Sequence, residues 1–146
     1  MSVPYGAQPQ QPLAATATDP HGIAPCFARL ANNARKSVRQ AALIAASHLE
    51  AGEVVEAIVG GRVSGHPAVV VITDRCVLVA DEREWKPQVS RLSLDAELRV
   101  QGWQDDRTAS LTFGIGSQEL VVDQIVDRPL AVEMAQRIRY RTGNAG

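Results

Sequence analysis

The spacing of apolar positions changes twice along this chain, and the two changes divide it. From Pro25 to Leu49, the residues Phe27, Leu30, Ala34, Val38, Ala41, Ala45 and Leu49 recur at steps of three and four, which places them on one stripe of a helix. Pro25 suits a first helical turn and Gly52 ends the stretch. At a rise of about 1.5 Å per residue the helix would be roughly 35 Å long, so part of it is expected to project from a small domain. Arg29, Lys36 and Arg39 fall on the far side of the stripe, while Leu43 and Ile44 make the Ala41–Ala46 end apolar nearly all round. That end is expected either to be buried against two surfaces or to meet a partner.

After Gly52 the period falls to two. Alternating or wholly apolar runs cover Glu53–Val63, Pro67–Thr73, Arg75–Ala80, Gln88–Leu94, Leu98–Trp103, Thr108–Phe113 and Glu119–Val122. Turn residues separate most of them: Gly60-Gly61, Gly65-His66-Pro67, Asp74-Arg75, Asp105-Asp106 and Gly114–Ser117. Seven closely spaced strands predict an antiparallel sandwich or barrel. The helical spacing then returns. Asp127 is the expected N-cap, Pro129 lies in the first turn, and Leu130, Met134 and Ile138 share a face. Arg137, Arg139 and Arg141 stand near the end, where positive charge complements the helix dipole.

The expected organisation is a disordered leader (1–22), an N-terminal amphipathic helix (23–51), a β domain with a capping helix (52–142) and a short flexible tail (143–146). The leader is rich in Pro, Gln, Ala and Thr and has little to bury. Pro9 and Pro12 give one PxxP spacing, which without a stiff proline run favours a flexible tail over a peptide ligand.

Composition narrows the class. The 146 residues are 45% hydrophobic and 21% charged, enough for one globular domain that folds without staples. Cys26 and Cys76 are too few for a disulfide framework or a zinc site. No stretch approaches the ~18 apolar residues of a membrane span and no basic start precedes an apolar run, so the expected location is the cytoplasm. The net charge of −1 conceals a segregation: Arg29, Arg35, Lys36 and Arg39 have no acid among them between Pro25 and Leu49, and the β region is acidic. Such segregation points to self-association or to an acidic partner.

Two local motifs carry a family resemblance. His48-Leu49-Glu50-Ala51-Gly52-Glu53-Val54-Val55 resembles the L-x-x-G-E-x-V opening of bacterial pleckstrin-homology-like (PH-like) domains, and Val69–Leu78 (VVVITDRCVL) is similar to their T-D-R-R-L hairpin. Cys76 departs from the pattern, standing where a second arginine is common. The resemblance spans about residues 48–141 and is nearest to the YokE-like group. It implies seven strands capped by one C-terminal helix. Thr73 and Asp74 are then expected to bond the turn backbone, and Arg75 to reach a carboxylate. Motif residues of this kind specify a fold rather than an activity.

Catalytic chemistry finds no support in the pattern. His21, His48 and His66 have no acid or thiol at ligand spacing, so no metal or cofactor is expected. Cys26 is read as a small residue at a helix start and Cys76 as a sheet residue. Asp81-Glu82 and Asp105-Asp106 are read as solvated turn acids, and Gly114-Ile115-Gly116 lies between strands, where it cannot form a nucleotide loop. For a phosphoinositide headgroup the barrel mouth offers Arg62, His66 and Lys86 beside acidic residues. The chain is therefore expected to be a non-catalytic interaction or scaffold module without a small-molecule substrate. Its interaction helix would use Phe27, Leu30, Ala34, Val38, Ala41, Leu43, Ile44 and Ala45 for self-association or a protein partner. The alternative is peripheral attachment to an anionic membrane through Arg29, Arg35, Lys36 and Arg39. Nucleic acid is disfavoured, because no aromatic residues interleave with the arginines.

Overall fold

The computed structural model describes residues 18–83 and 86–144. Most of the expected leader lies outside the described residues, as do Glu84, Trp85, Ala145 and Gly146. Helices α1 (Ile23–Phe27) and α2 (Asn32–Ala46) precede strands β1 (Val55–Val63), β2 (His66–Thr73), β3 (Cys76–Asp81), β4 (Gln88–Ser93), β5 (Arg99–Gln104), β6 (Ala109–Ile115) and β7 (Gln118–Ile125). Helix α3 (Arg128–Thr142) follows. Seven antiparallel strands with one helix after them is the plan expected, and a helical segment precedes them as expected.

The sheet is not closed into a barrel. Its order is β4-β3-β2-β1-β7-β6-β5, so β4 and β5, consecutive in the chain, form the two opposite edges. Turn bonds between them, Asp95 N–H to Ser93 O and Leu98 N–H to Asp95 O, carry the chain across to the other side instead of continuing the ladder. The β1–β7 seam pairs at Arg62 opposite Asp123. There β7 crosses so close that a Cβ on Gly61 would lie 2.5 Å from the Asp123 carbonyl oxygen.

Folding about that seam creates an inner core. Val59, Val70, Ile72 and Val79 meet Leu111, Phe113 and Val122 across it, and Met134 and Ile138 of α3 close one end. A second core lies on the outer face of β1–β3, where Leu30, Val38, Ala41 and Ala45 pack on Ile58, Val71 and Leu78. Strands β2 and β3 thus have both faces covered, which is why they read as continuous apolar runs.

The N-terminal helix departs from expectation. One helix over 23–51 was expected; two form, broken at residues 28–31. Leu30 is buried in the outer core there, the Ala31 N–H donates to both Asp127 carboxylate oxygens (3.0 and 3.2 Å), and Arg35 Nη1 donates to the Ala28 and Leu30 carbonyls. These bonds satisfy the groups that a continuous helix would have paired internally. Asp127 does occupy the N-cap position of α3, but its side chain caps α2 instead. Helix α2 ends at Ala46, and the chain turns through Gly52 at φ 80°. Gly60-Gly61 is likewise not a turn. Both lie within β1, where a Cβ on Gly60 would press within 3.0 Å of Val38, and Ser64-Gly65, each with positive φ, makes the turn.

Candidate functional site

The family-like motifs meet at one end of the sheet, around a buried carboxylate. Glu53 is fully buried and accepts bonds from Thr73 Oγ1, Arg91 Nη2, Cys76 Sγ and the Glu50 N–H. Burial pushes its carboxyl up, but the hydrogen bonds from the Glu50 backbone, Thr73, Arg91 and Cys76 outweigh that and hold it at about 2. The turn is built as its residues suggest: the Arg75 and Cys76 N–H groups donate to Thr73 Oγ1, the Val54 N–H donates to Asp74 Oδ1, and Arg75 reaches Glu50. Cys76 sits beside Glu53, and burial pushes its thiol to about 11. His21, at the end of the expected leader, bonds the Glu53 carbonyl through Nδ1, and its own carbonyl accepts the Val55 N–H. Both oxygens of the buried carboxylate are bonded by other groups of the fold. It ties the edge strand β4 to the start of β1 and leaves nothing directed at a ligand.

The sequence candidates fall into separate places. In the helical segment Leu30, Ala34, Val38, Ala41 and Ala45 are buried against the protein's own sheet, Phe27 and Ile44 are half-buried, and Leu43 is 59% exposed. Arg29 is engaged bidentately with Glu133 at 2.9 Å, and Arg35 with the α1–α2 break. Lys36 and Arg39 stay exposed on α2. At the expected mouth, Arg62 folds back on the Gly65 carbonyl, His66 begins β2, and Lys86 is exposed in the β3–β4 link. Asp81 was expected as a solvated turn acid. It is instead buried within β3, where Arg83 Nε bonds both its oxygens and the Gln88 N–H bonds one. Asp105 does behave as a turn acid, its pKa lowered by the Thr108 and Arg107 backbone N–H groups.

A groove that none of these residues forms lies along β5. The Asp105 N–H donates to the Thr108 carbonyl and closes the β5–β6 hairpin. Hydrogen-bonded pairs therefore recur at Trp103–Ser110, Gln101–Thr112 and Arg99–Gly114. The backbone groups of Val100, Gly102 and Gln104 then point away from β6, along the open edge of the sheet. Val100 faces the core, so the period of two puts Gly102 on the same face. A glycine there leaves a cleft of about 210 Å³ over Leu111, Ala131 and Ala135. Trp103, 64% exposed, and Arg139 complete its rim. A shallow continuation lined by Gln104, Arg128, Pro129 and Val132 extends it along the strand. Among the described residues no acidic side chain lines either part.

Gly102 is informative because nothing local requires it. A Cβ at this position would find Leu111 Cδ2 at 3.7 Å and the Ser110 carbonyl at 4.0 Å, ordinary contact distances, and its φ is not positive. Gly60 and Gly61 are explained by neighbours pressing on them; Gly102 is explained by the space it keeps. An isolated glycine inside a strand often marks a bulge, a tight bend, or a close approach by a ligand or another backbone, and β5 has no bulge. That was the signal available in Leu98–Trp103.

Comparison with known proteins adds little. No family model matches the chain, and no curated protein matches it. Among solved structures, the crystal structure of a pleckstrin homology domain from Shewanella amazonensis SB2B is similar, at 15% identity with a TM-score of 0.47, covering 71% of this chain and 96% of that one. Among the described residues no helix is long and apolar enough to cross a membrane.

Proposed function

We propose that the chain is a non-catalytic, PH-like interaction module of the cytoplasm whose binding face is the groove between β5 and α3. The kinship with bacterial PH-like domains, and with the YokE-like group in particular, rests on the residue 48–55 and 69–78 motifs and on the strand order they accompany. The observation that carries the reading is the cleft beneath Gly102, bordered by an open strand edge and an exposed tryptophan. Binding sites combine apolar concavity with a few polar groups of fixed position, and this groove has both. Selection from a randomised nine-residue peptide pool on the wild-type chain, counter-selected on Gly102→Val, tests it. A Cβ at Gly102 meets only ordinary contacts, and valine, which favours a strand, would set its methyls into the part of the cleft beneath that position. Peptides that bind wild type and not Gly102→Val, with both proteins equally folded by circular dichroism, are the expected result. A pool without any such peptide removes the groove as a binding face.

A second reading keeps α2 as a self-association surface, supported by exposed Leu43. Most of its apolar stripe already packs on β1–β3, so the remaining area is small. Equal masses by light scattering for wild type and Leu43→Glu would count against it. Attachment of the basic arm to an anionic membrane is weakened for a similar reason, because Arg29 and Arg35 are engaged within the fold. Salt-insensitive failure to bind anionic vesicles is the expected outcome there.

A further inference from the structure

The groove has enough definition to specify the kind of chain that fits it. We propose that it takes an extended, acidic peptide segment of a partner protein, which adds to the sheet as a strand beside β5 and seats one apolar side chain in the cleft under Gly102. This inference rests on the groove being a binding face and deepens that reading.

Three observations converge. First, β5 is an edge whose outward groups alternate along the strand. The Leu98 carbonyl is taken by Asn144 Nδ2 at 3.1 Å and the Val100 carbonyl by Arg139 Nη2 at 3.3 Å, so Gly102 and Gln104, next along the same edge, are the positions an incoming strand would pair with. An incoming strand needs such a row of backbone donors and acceptors, and side chains at alternate positions then decide its identity. Second, the cleft opens next to that edge over Leu111 and Ala135, so every second residue of an added strand points toward it. A volume of about 210 Å³ suits one aliphatic or aromatic side chain and no more. Third, the charged side chains along the groove are Arg139 and Arg128. Arg128 also donates to the Asp105 carbonyl, with the Asp105 carboxylate close by, so Arg139 is the stronger attraction for an acid. Each guanidinium has donors beyond the bond it makes to a backbone carbonyl, Val100 for Arg139 and Asp105 for Arg128.

The chain's own residues 1–17 contain no acid, which argues for a partner in trans rather than the leader. Edge strands are normally blunted by inward charge, a bulge or a covering element; α3 bonds the Val100 carbonyl, and Gly102–Gln104 beyond it has neither charge nor bulge.

The test uses the peptides recovered on wild type and lost on Gly102→Val, on the full chain. Their sequences are expected to be acid-rich with apolar residues at alternating positions. N-methylation of the backbone at the edge-facing positions of one such peptide should weaken binding about tenfold, while methylation at the intervening positions leaves it unchanged. Arg139→Gln should weaken it about fivefold and flatten its salt dependence. Basic or uncharged winners, or equal sensitivity to methylation at every position, overturn strand addition while the groove reading stands. If the selected peptides bind more tightly to a chain starting at Thr18 and are displaced by a peptide of residues 1–17, the occupant is the leader and the partner proposal falls. If the pool yields no Gly102-sensitive peptide, the groove reading itself fails.

Discussion

Replacing Glu53 by glutamine tests the buried node. The carboxylate accepts five hydrogen bonds from Thr73, Cys76, the Glu50 N–H and Arg91. Glutamine keeps the shape, but the Glu50 N–H donates to one carboxylate oxygen and Thr73 to the other, so the single amide oxygen can serve only one of them, and the amide NH2 is set against donors, Arg91 among them, at the other position. The drop from an ordinary 4.5 to about 2 corresponds to about 3 kcal/mol of charge-dependent stabilisation. Breaking a buried pair by removing one member costs roughly 3–5 kcal/mol. Arg91 keeps 32% of its side-chain exposure, so water resolvates part of the guanidinium and the loss falls at or just below the low end of that range. We expect Glu53→Gln to lose about 2–3 kcal/mol at pH 7 in urea unfolding followed by circular dichroism. The pH dependence has a definite sign. A carboxyl with a lowered folded-state pKa contributes fully above its unfolded value and loses that contribution as pH falls toward 2. Wild type should therefore weaken steeply between about pH 5 and 2, and the two proteins should converge at the acid end. Parallel stability curves for the two proteins across that interval would refute the reasoning.

Other regions make independent predictions. Glu133, held at about 2 first by the Arg29 hydrogen bond against its own burial, also ties the α1–α2 break to α3. Because both partners are partly exposed, Glu133→Gln should cost only about 0.5–1 kcal/mol by urea titration. Gly60→Ala should destabilise by about 1–3 kcal/mol, since its methyl would press Val38 and lift α2; faster amide exchange in Asn32–Ala46 would show where the loss falls. Burial raises both thiols, Cys76 to about 11, so alkylation at pH 8 should label half-buried Cys26 first and reach Cys76 on unfolding. Mass spectrometry of the labelled peptides reads the order directly.

The strands were legible because local signals agreed. Alternation, continuous apolar runs and turn residues put β1–β7 within a few residues of their observed bounds, with Asp105 and Thr73 acting through their own neighbours in sequence. The α1–α2 break was not legible, because Phe27, Leu30 and Ala34 keep helical spacing straight through it. What interrupts the helix is Asp127, 96 positions away from Ala31. Glu53 illustrates the same limit: its place in a motif was visible, but its bond to Arg91, 38 residues on, was not. The groove lay furthest from view. Gly102 comes from β5 and Arg139 from α3, and only the open sheet, in which β5 pairs with β6 alone, brings them to one edge. The helical stripe drew attention because it is continuous in sequence, yet the fold itself covers most of it.

The central claim is that binding occurs along β5 rather than on the N-terminal helix. Titrating a Gly102-sensitive peptide into isotopically labelled protein, with amide shifts followed residue by residue, decides between them. The account predicts that the amides of Gly102, Gln104 and the facing turns of α3 move first and most, while Lys36, Arg39 and Leu43 stay still. Shifts confined to α2, with β5 unchanged, would contradict it.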